Sequence, residues 1–376
     1  MFDSTTDFTN NISSLIDHLN YEKSRGDFLK NIVRKYNCKS AIKDEIEEYL
    51  NDVEKASLIN AKKFTYTNSI ISLYGYLENF IENIAVEFIQ KLNQIDIPFT
   101  SLPKEIRRFH LESSIDLLKK VQRTKGNNRD QKNNRIKKIL LNMHTCAEEF
   151  ENYQLNEEAF SLHTANFRYD SIHNLFCKIG IHGVPRISLS DKELRSTLAN
   201  KHTIDEDIER KIFVSLLASE LDDLAQRRNE IAHGSFDGEL ESIDLVIERA
   251  LCLMKFGASV SKILNDYFYQ FVFESSSKVS LGLPTEAYNG SCIFGFLANP
   301  NHNIGKISSI NTGDVIFAHN ESSTEKLKYG KIVSIVKNRE DTECLEIPSD
   351  TDFAIKVDFE FSSHMKTREV YILKQA

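Results

Sequence analysis

A chain of 376 residues, 41% hydrophobic and 27% charged, can bury a sizeable core, and its evenly spread apolar residues exclude extensive disorder. The formal net charge of −8 excludes a wholly basic nucleic-acid binder, while leaving room for a local basic surface. Six scattered cysteines without a C-x-x-C pair, no apolar run of about 18 residues, and a start (MFDSTTDFTN) without a basic segment ahead of an apolar one predict free thiols, no membrane span and a cytoplasmic location.

Glycine and proline are rare, 14 and 6, and helical spacing dominates up to about residue 275. Residues 1–59 read as a helical region in which acids precede lysines (DEIEEYLNDVEKASLINAKK). The clearest helix follows, in NSIISLYGYLENFIENIAVEFIQKL. There Ile70, Leu73, Leu77, Phe80, Ile81, Ile84 and Phe88 recur at steps of three and four, with Glu78 and Glu82 close to that face.

The segment 104–138 carries twelve Lys or Arg against four Asp or Glu, a net +8 where the rest of the chain holds −16. Its centre, RTKGNNRDQKNNR, reads as a loop between two helices. This block is either a solvated charged hairpin or a phosphate-holding surface, and in the second case Arg123, Lys125, Arg129 and Lys132 are the candidate RNA contacts. Next, LHTANFRYDSIHNLFCKIGIHG contains His163, His173, Cys177 and His182. Their spacing fits no defined zinc module, so no metal is expected, and Phe167, Tyr169 and Phe176 read as packing groups.

A second long helix is predicted over about 204–233, with Thr203 able to cap it and acids in its first turn. Ile208, Ile212, Leu216, Leu217, Leu221 and Leu224 mark its buried side, and Arg228 stands at the next apolar position. Gly234 suits a left-handed C-cap. A third helix is predicted over roughly 241–273. Then ESSSKVSLGLP reads as a linker, and SCIFGFL, GDVIFAH, GKIVSIVKN, FAIKVDFEF and EVYIL read as strands; Phe353, Ile355, Val357, Phe359 and Phe361 share one face. The expected fold class is α+β: a mostly helical bundle followed by a small β-barrel or β-sandwich.

One short string carries chemistry. In LDDLAQRRNEIAHGSFDG, Arg228, Asn229 and His233 crowd the end of a helix. Histidine suits proton transfer near neutral pH, and arginine stays charged with a fork that fits phosphate oxygens. Such a set fits RNA cleavage by the 2′-hydroxyl, which needs a base, an acid and positive charge on the phosphorane. The alternative is that these are polar helix-end groups, with Arg228 paired to Glu78 or Glu82.

The string RRNEIAHG closely resembles the signature of the HEPN superfamily, and SLYGYLENFIENIAVEFI resembles a helix of its MAE-like, bacterial defence and toxin-type subgroup. The resemblance spans about residues 60–275. It implies a HEPN helical domain there and says nothing of the N-terminal helical region over 1–59 or the small β domain over 285–376, both of which are read from the residue patterns alone. It further implies a metal-independent endoribonuclease without a cofactor, acting as a homodimer in which two copies of Arg228, Asn229 and His233 meet in one cleft. A mixed reading of the residues has Glu78 orienting Arg228 in support of catalysis. A toxin or antiphage defence effector with a neutralising or triggering partner follows by the same analogy. The alternative is an inactive HEPN-fold dimer that binds RNA or a partner protein.

Overall fold

The computed structural model describes residues 2–35, 41–124, 128–236, 238–288, 292–298, 309–347, 349, 351–360 and 366–373, with side chains for the same residues except 26 and 29–59. The helical part runs α1 (Asp3–Lys35), α2 (Ala41–Leu92), α3 (Lys104–Arg123), α4 (Arg129–Ala147), α5 (Tyr169–Cys177), α6 (Val184–Ser188), α7 (Lys192–His202), α8 (Arg210–Ala232) and α9 (Ile243–Ser275). Ten strands follow. The chain divides into two compact units, Met1–Gln94 with Pro98–Asn265, and Asp266–Ala376 with Ile95–Ile97.

Helix α2 is the spine of the first unit. Its seven predicted apolar residues, Ile70 to Phe88, are all essentially inaccessible to solvent. Helix α1 lies along it, with the Phe8 and Phe80 rings stacked at 4.5 Å. Gly257 of α9 admits this stack, since a Cβ there would stand 2.5 Å from the Phe8 ring. No break falls at residue 59, because α2 runs through it without interruption.

Three expectations change at helix ends. Helix α7 terminates at Thr203, whose left-handed backbone (φ 51°) makes it the C-cap of α7, and α8 starts only at Arg210 behind Glu209. The acids of 205–209 therefore fill a connecting turn. The buried stripe of α8 begins at Phe213, which the sequence reading passed over, while Ile212 and Leu216 are only half-buried. The supposed loop RTKGNNRDQKNNR is mostly helix: α3 runs to Arg123 and α4 starts at Arg129, where the Asn128 side chain accepts from the Asp130 amide at 3.1 Å.

A buried polar node anchors the strap between α4 and α5. His110 Nε2 accepts from the Asn156 amide at 2.9 Å, and Asn156 donates to Ser114 and accepts from Asn142, both at 3.0 Å. The strap then continues as a short 3-10 turn, Glu157–Ser161, whose Ala159 packs with Leu117, Val121 and Ile139.

The second unit is antiparallel. Strands β1 (Lys278–Gly282), β2 (Glu286–Tyr288), β3 (Ile293–Phe296), β4 (Ser309–Asn311), β5 (Val315–His319), β6 (Leu327–Lys337), β7 (Glu340–Thr342), β8 (Cys344–Glu346), β9 (Phe353–Val357) and β10 (Glu369–Leu373) pair in the order β1-β10-β5-β6-β9-β3-β2, with β7 on β6 and β4 on β8. The long β6 pairs with β5 through its first half and with β9 through its second, shifting register between Ile332 and Ser334. Both halves feed one apolar core, including Ile316, Ile372, Phe294 and Ile355. The fold class is thus α+β, a helical domain followed by a small β domain. The segment read as a linker supplies β1 instead: Val279 and Leu281 alternate inward, Val279 pairing with Ile372 of β10 and Leu281 falling at a register shift between Ser280 and Gly282. Phe361 lies outside the described residues. Among the described residues no helix is long and apolar enough to cross a membrane.

Burial holds the His110 pKa down to about 4. Unfolded chains take up that proton near pH 6.5, so acid favours the unfolded state. Stability from this site is complete above about pH 6.5 and is lost as pH falls toward 4, by at most about 3 kcal/mol. Urea unfolding at pH 7 and pH 4.5 checks this: His110→Gln should show a smaller loss between the two than the wild type.

Candidate active site at the end of helix α8

The site grows from a packing stripe that ends in charge. Phe213, Leu217, Leu221 and Leu224 bury one side of α8, and Arg228 is the next residue along it. A Schellman arrangement closes the helix. The Ser235 amide donates to the Glu230 carbonyl at 2.9 Å and the Gly234 amide to the Ile231 carbonyl at 3.1 Å, with Gly234 at φ +70°. His233 is the C-cap, and its imidazole is exposed.

The two adjacent arginines have opposite surroundings. Arg227 donates from Nε to Asp223 and from Nη1 to the Tyr66 hydroxyl, both at 2.7 Å, and lies 3.7 Å from Glu241. Burial works against its charge, but the Asp223 bond and the Glu241 field outweigh it and raise its pKa. The network extends inward. Arg249, 4% exposed, bonds Asp223 and Glu241 at 2.7 Å each and lies 3.3 Å from Glu220, which Lys201 also meets at 2.5 Å. Three cations thus meet three carboxylates, and Arg227 is fully committed.

Arg228 meets only uncharged partners. Its guanidinium sits 4.7 Å from the centroid of the Tyr74 ring, a cation–π contact. Nη1 donates to Asn229 Oδ1 at 3.2 Å and, at the edge of hydrogen-bond range, to Asn166 Oδ1 at 3.5 Å. Asn166 Nδ2 donates to Asn229 Oδ1 at 2.6 Å, closing a carboxamide pair beside the guanidinium. Among the described residues Arg228 forms no ion pair. Glu78 accepts from the Tyr74 hydroxyl at 3.3 Å and so reaches Arg228 only through that ring, while Glu82 meets His163 at 2.7 Å. Both carboxylates considered as partners of Arg228 are therefore engaged elsewhere. Burial pushes the Tyr74 phenol up to about 12, so it stays a neutral platform.

The structure brings Arg228, Asn229 and, through Tyr74, Glu78 together, with His233 one turn beyond Asn229. Arg123, Arg129 and Lys132 stand at the tip of the α3–α4 hairpin, joined to this cluster by no hydrogen bond or ion pair among the described residues. Arg123 and Arg129 are exposed; Lys132 turns back to cap the Gln122 and Thr124 carbonyls. Lys125 lies outside the described residues. His173 accepts from the Gly183 amide at 3.2 Å and lies 3.5 Å from Cys177 Sγ. Phe167 and Phe176 are wholly buried. Among the described residues no group of three or more His, Cys, Asp or Glu is placed to hold a metal ion.

A family model, RiboL-PSP-HEPN, matches residues 37–269, more than half of the chain. The chain belongs to the RiboL-PSP-HEPN family. No curated relative matches it. HEPN proteins are typically ribonucleases, which gives this HEPN chain a nuclease or RNA-related setting.

Sequence reasoning missed Asn166 and Tyr74, the two residues that hold Arg228 from outside α8. They lie 62 and 154 positions away, and no local spacing signals them. The two arginine environments predict opposite costs. Arg249→Ala takes the most buried of three cations out of a cluster of three carboxylates and should cost about 3 kcal/mol or more. Arg228→Ala removes only neutral contacts and should cost about 1 kcal/mol. Chemical denaturation of both variants measures the contrast.

Proposed function

We propose that this HEPN protein is a metal-independent endoribonuclease that cuts single-stranded RNA or tRNA through the 2′-hydroxyl. The observation that carries the reading is the Arg228 guanidinium held by two carboxamides and a phenol ring, with no carboxylate paired to it among the described residues. A cation kept in this way is ready for a phosphate.

The chemistry follows from the residue types. An imidazole removes the 2′-OH proton as the 2′-oxygen attacks phosphorus, and Arg228 balances the charge on the phosphorane. The P–O5′ bond breaks, a second acid protonates O5′, and the products are a 2′,3′-cyclic phosphate and a 5′-hydroxyl. Asn229 orients a phosphate oxygen. At about 100° per residue, Arg228 and His233 project some 140° apart on α8, with Asn229 between them. Pairing two copies into a homodimer supplies the second imidazole and lets the guanidinium of one face the imidazole of the other. Arg123, Lys125, Arg129 and Lys132 would hold the RNA backbone at a distance from the cut. A free ribonuclease harms its host, so the setting proposed is a cytoplasmic toxin or antiphage defence effector restrained or triggered by a partner protein. The second reading, an inactive HEPN dimer that binds RNA or a partner, draws on the carboxamide pair that already occupies Arg228.

RNA cleavage in EDTA separates the two. Wild type should release 2′,3′-cyclic phosphate ends and leave DNA intact, with Arg228→Ala and His233→Ala about 10²–10⁴-fold slower while retaining their oligomeric state. Equal cleavage by all three, or RNA binding without cleavage in the wild type, would remove the enzyme reading.

A further inference from the structure

We infer that the loop 163–169 and helix α8 form an RNA groove extending beyond the scissile site, with Arg168 taking the phosphate of a flanking nucleotide and Asn166 contacting its base. This inference rests on the ribonuclease reading above and names how the same site would hold a longer strand.

The loop is tied down on both sides of its tip. His163 lies between Glu82 Oε1 at 2.7 Å and the Ala165 carbonyl at 2.8 Å. The Phe167 amide donates to the Tyr74 hydroxyl at 2.9 Å, and the Tyr169 amide donates to Asp222 Oδ1 at 3.2 Å. Thr164 and Ala165 remain exposed at the tip. On α8, Asp222, Gln226, Asn229 and His233 follow at steps of four, three and four, so they share one face. The loop meets the first three in order. Arg168 reaches the Asp222 carbonyl at 3.4 Å and Gln226 Oε1 at 3.0 Å, and Asn166 reaches Asn229 at 2.6 Å.

Arg168 repeats the pattern of Arg228. Both its contacts are neutral oxygens, and among the described residues it forms no ion pair. The carboxylate of this row, Asp222, accepts from the Tyr169 amide at 3.2 Å, and Glu230 accepts from Gln226 Nε2 at 2.8 Å. Gln226 and His233 are seven residues apart, about 10 Å along the helix, a span of a nucleotide or two. Asn166 carries a donor and an acceptor on one short side chain, the equipment for reading the edge of an unstacked base. Its present bonds, to Asn229 and Arg228, are those an incoming strand would exchange.

The test uses full-length protein and a single-stranded RNA containing the cleavage site. Binding is measured against salt in the His233→Ala background, and cleavage patterns in the otherwise native chain. Adding Arg168→Gln should flatten the slope of log K against log salt by about 0.7, the loss of one single-strand phosphate contact, and Arg168→Lys should restore it. Asn166→Ala should relax the base preference at a position flanking the cut. An unchanged slope with Arg168→Gln and an unchanged preference with Asn166→Ala overturn the groove; if the wild type still cuts and His233→Ala does not, the nuclease reading survives that result. A wild type that neither binds nor cuts RNA overturns both.

Discussion

The proposed chemistry depends on one arrangement: a guanidinium that has no counter-charge among the described residues. Arg228 rests on the ring of Tyr74 and donates to two carboxamides, Asn229 and Asn166. Each partner fixes the position of the charge without cancelling it. One residue earlier, Arg227 is surrounded by Asp223, Glu241 and the Tyr66 hydroxyl, and its charge is fully answered inside the protein. An arginine built for folding and one open to an anion thus stand side by side on one helix. The difference between them lies in the chemistry of their neighbours.

The rest of the helical unit serves that arrangement. The stripe from Phe213 to Leu224 fixes the rotation of α8, and the charge network through Arg249 holds the flank of its final turns. Rotation of the helix would move Arg228 off the Tyr74 ring. Helix α2 presents that ring, and Glu78 holds its hydroxyl from one turn further along. The strap anchored at Asn156 delivers the loop that brings Asn166 to the site. The left-handed Gly234 ends the helix behind its C-cap His233 and leaves the imidazole in solvent.

Much of this was legible in the sequence because it is local. The apolar face of α2, the left-handed glycine after α8 and the triplet Arg228, Asn229 and His233 are written within a few residues of each other. The start of α8 was misplaced because Thr203 and the following acids look like a helix N-terminus, while the backbone uses Thr203 to end α7. Strand β1 looked like a linker because its serines and glycine mask a two-residue alternation that matters only once β10 lies beside it. The partners of Arg228 were invisible for the same reason: Tyr74 and Asn166 approach it only after the bundle has closed. Only part of what separates Arg227 from Arg228 is local: Asp223 stands four residues before Arg227 on α8, while Glu241 arrives from the segment ahead of α9 once the bundle has closed.

The most direct measurement is a crystal structure of the His233→Ala protein with an RNA carrying a 2′-deoxy group at the cleavage position. The account predicts a phosphate oxygen on the Arg228 guanidinium, with the Asn166 carboxamide turned away from it and the Tyr74 ring still beneath. RNA bound elsewhere while Arg228 keeps its two carboxamides, or Arg228 swung onto a carboxylate of its own chain, would contradict it.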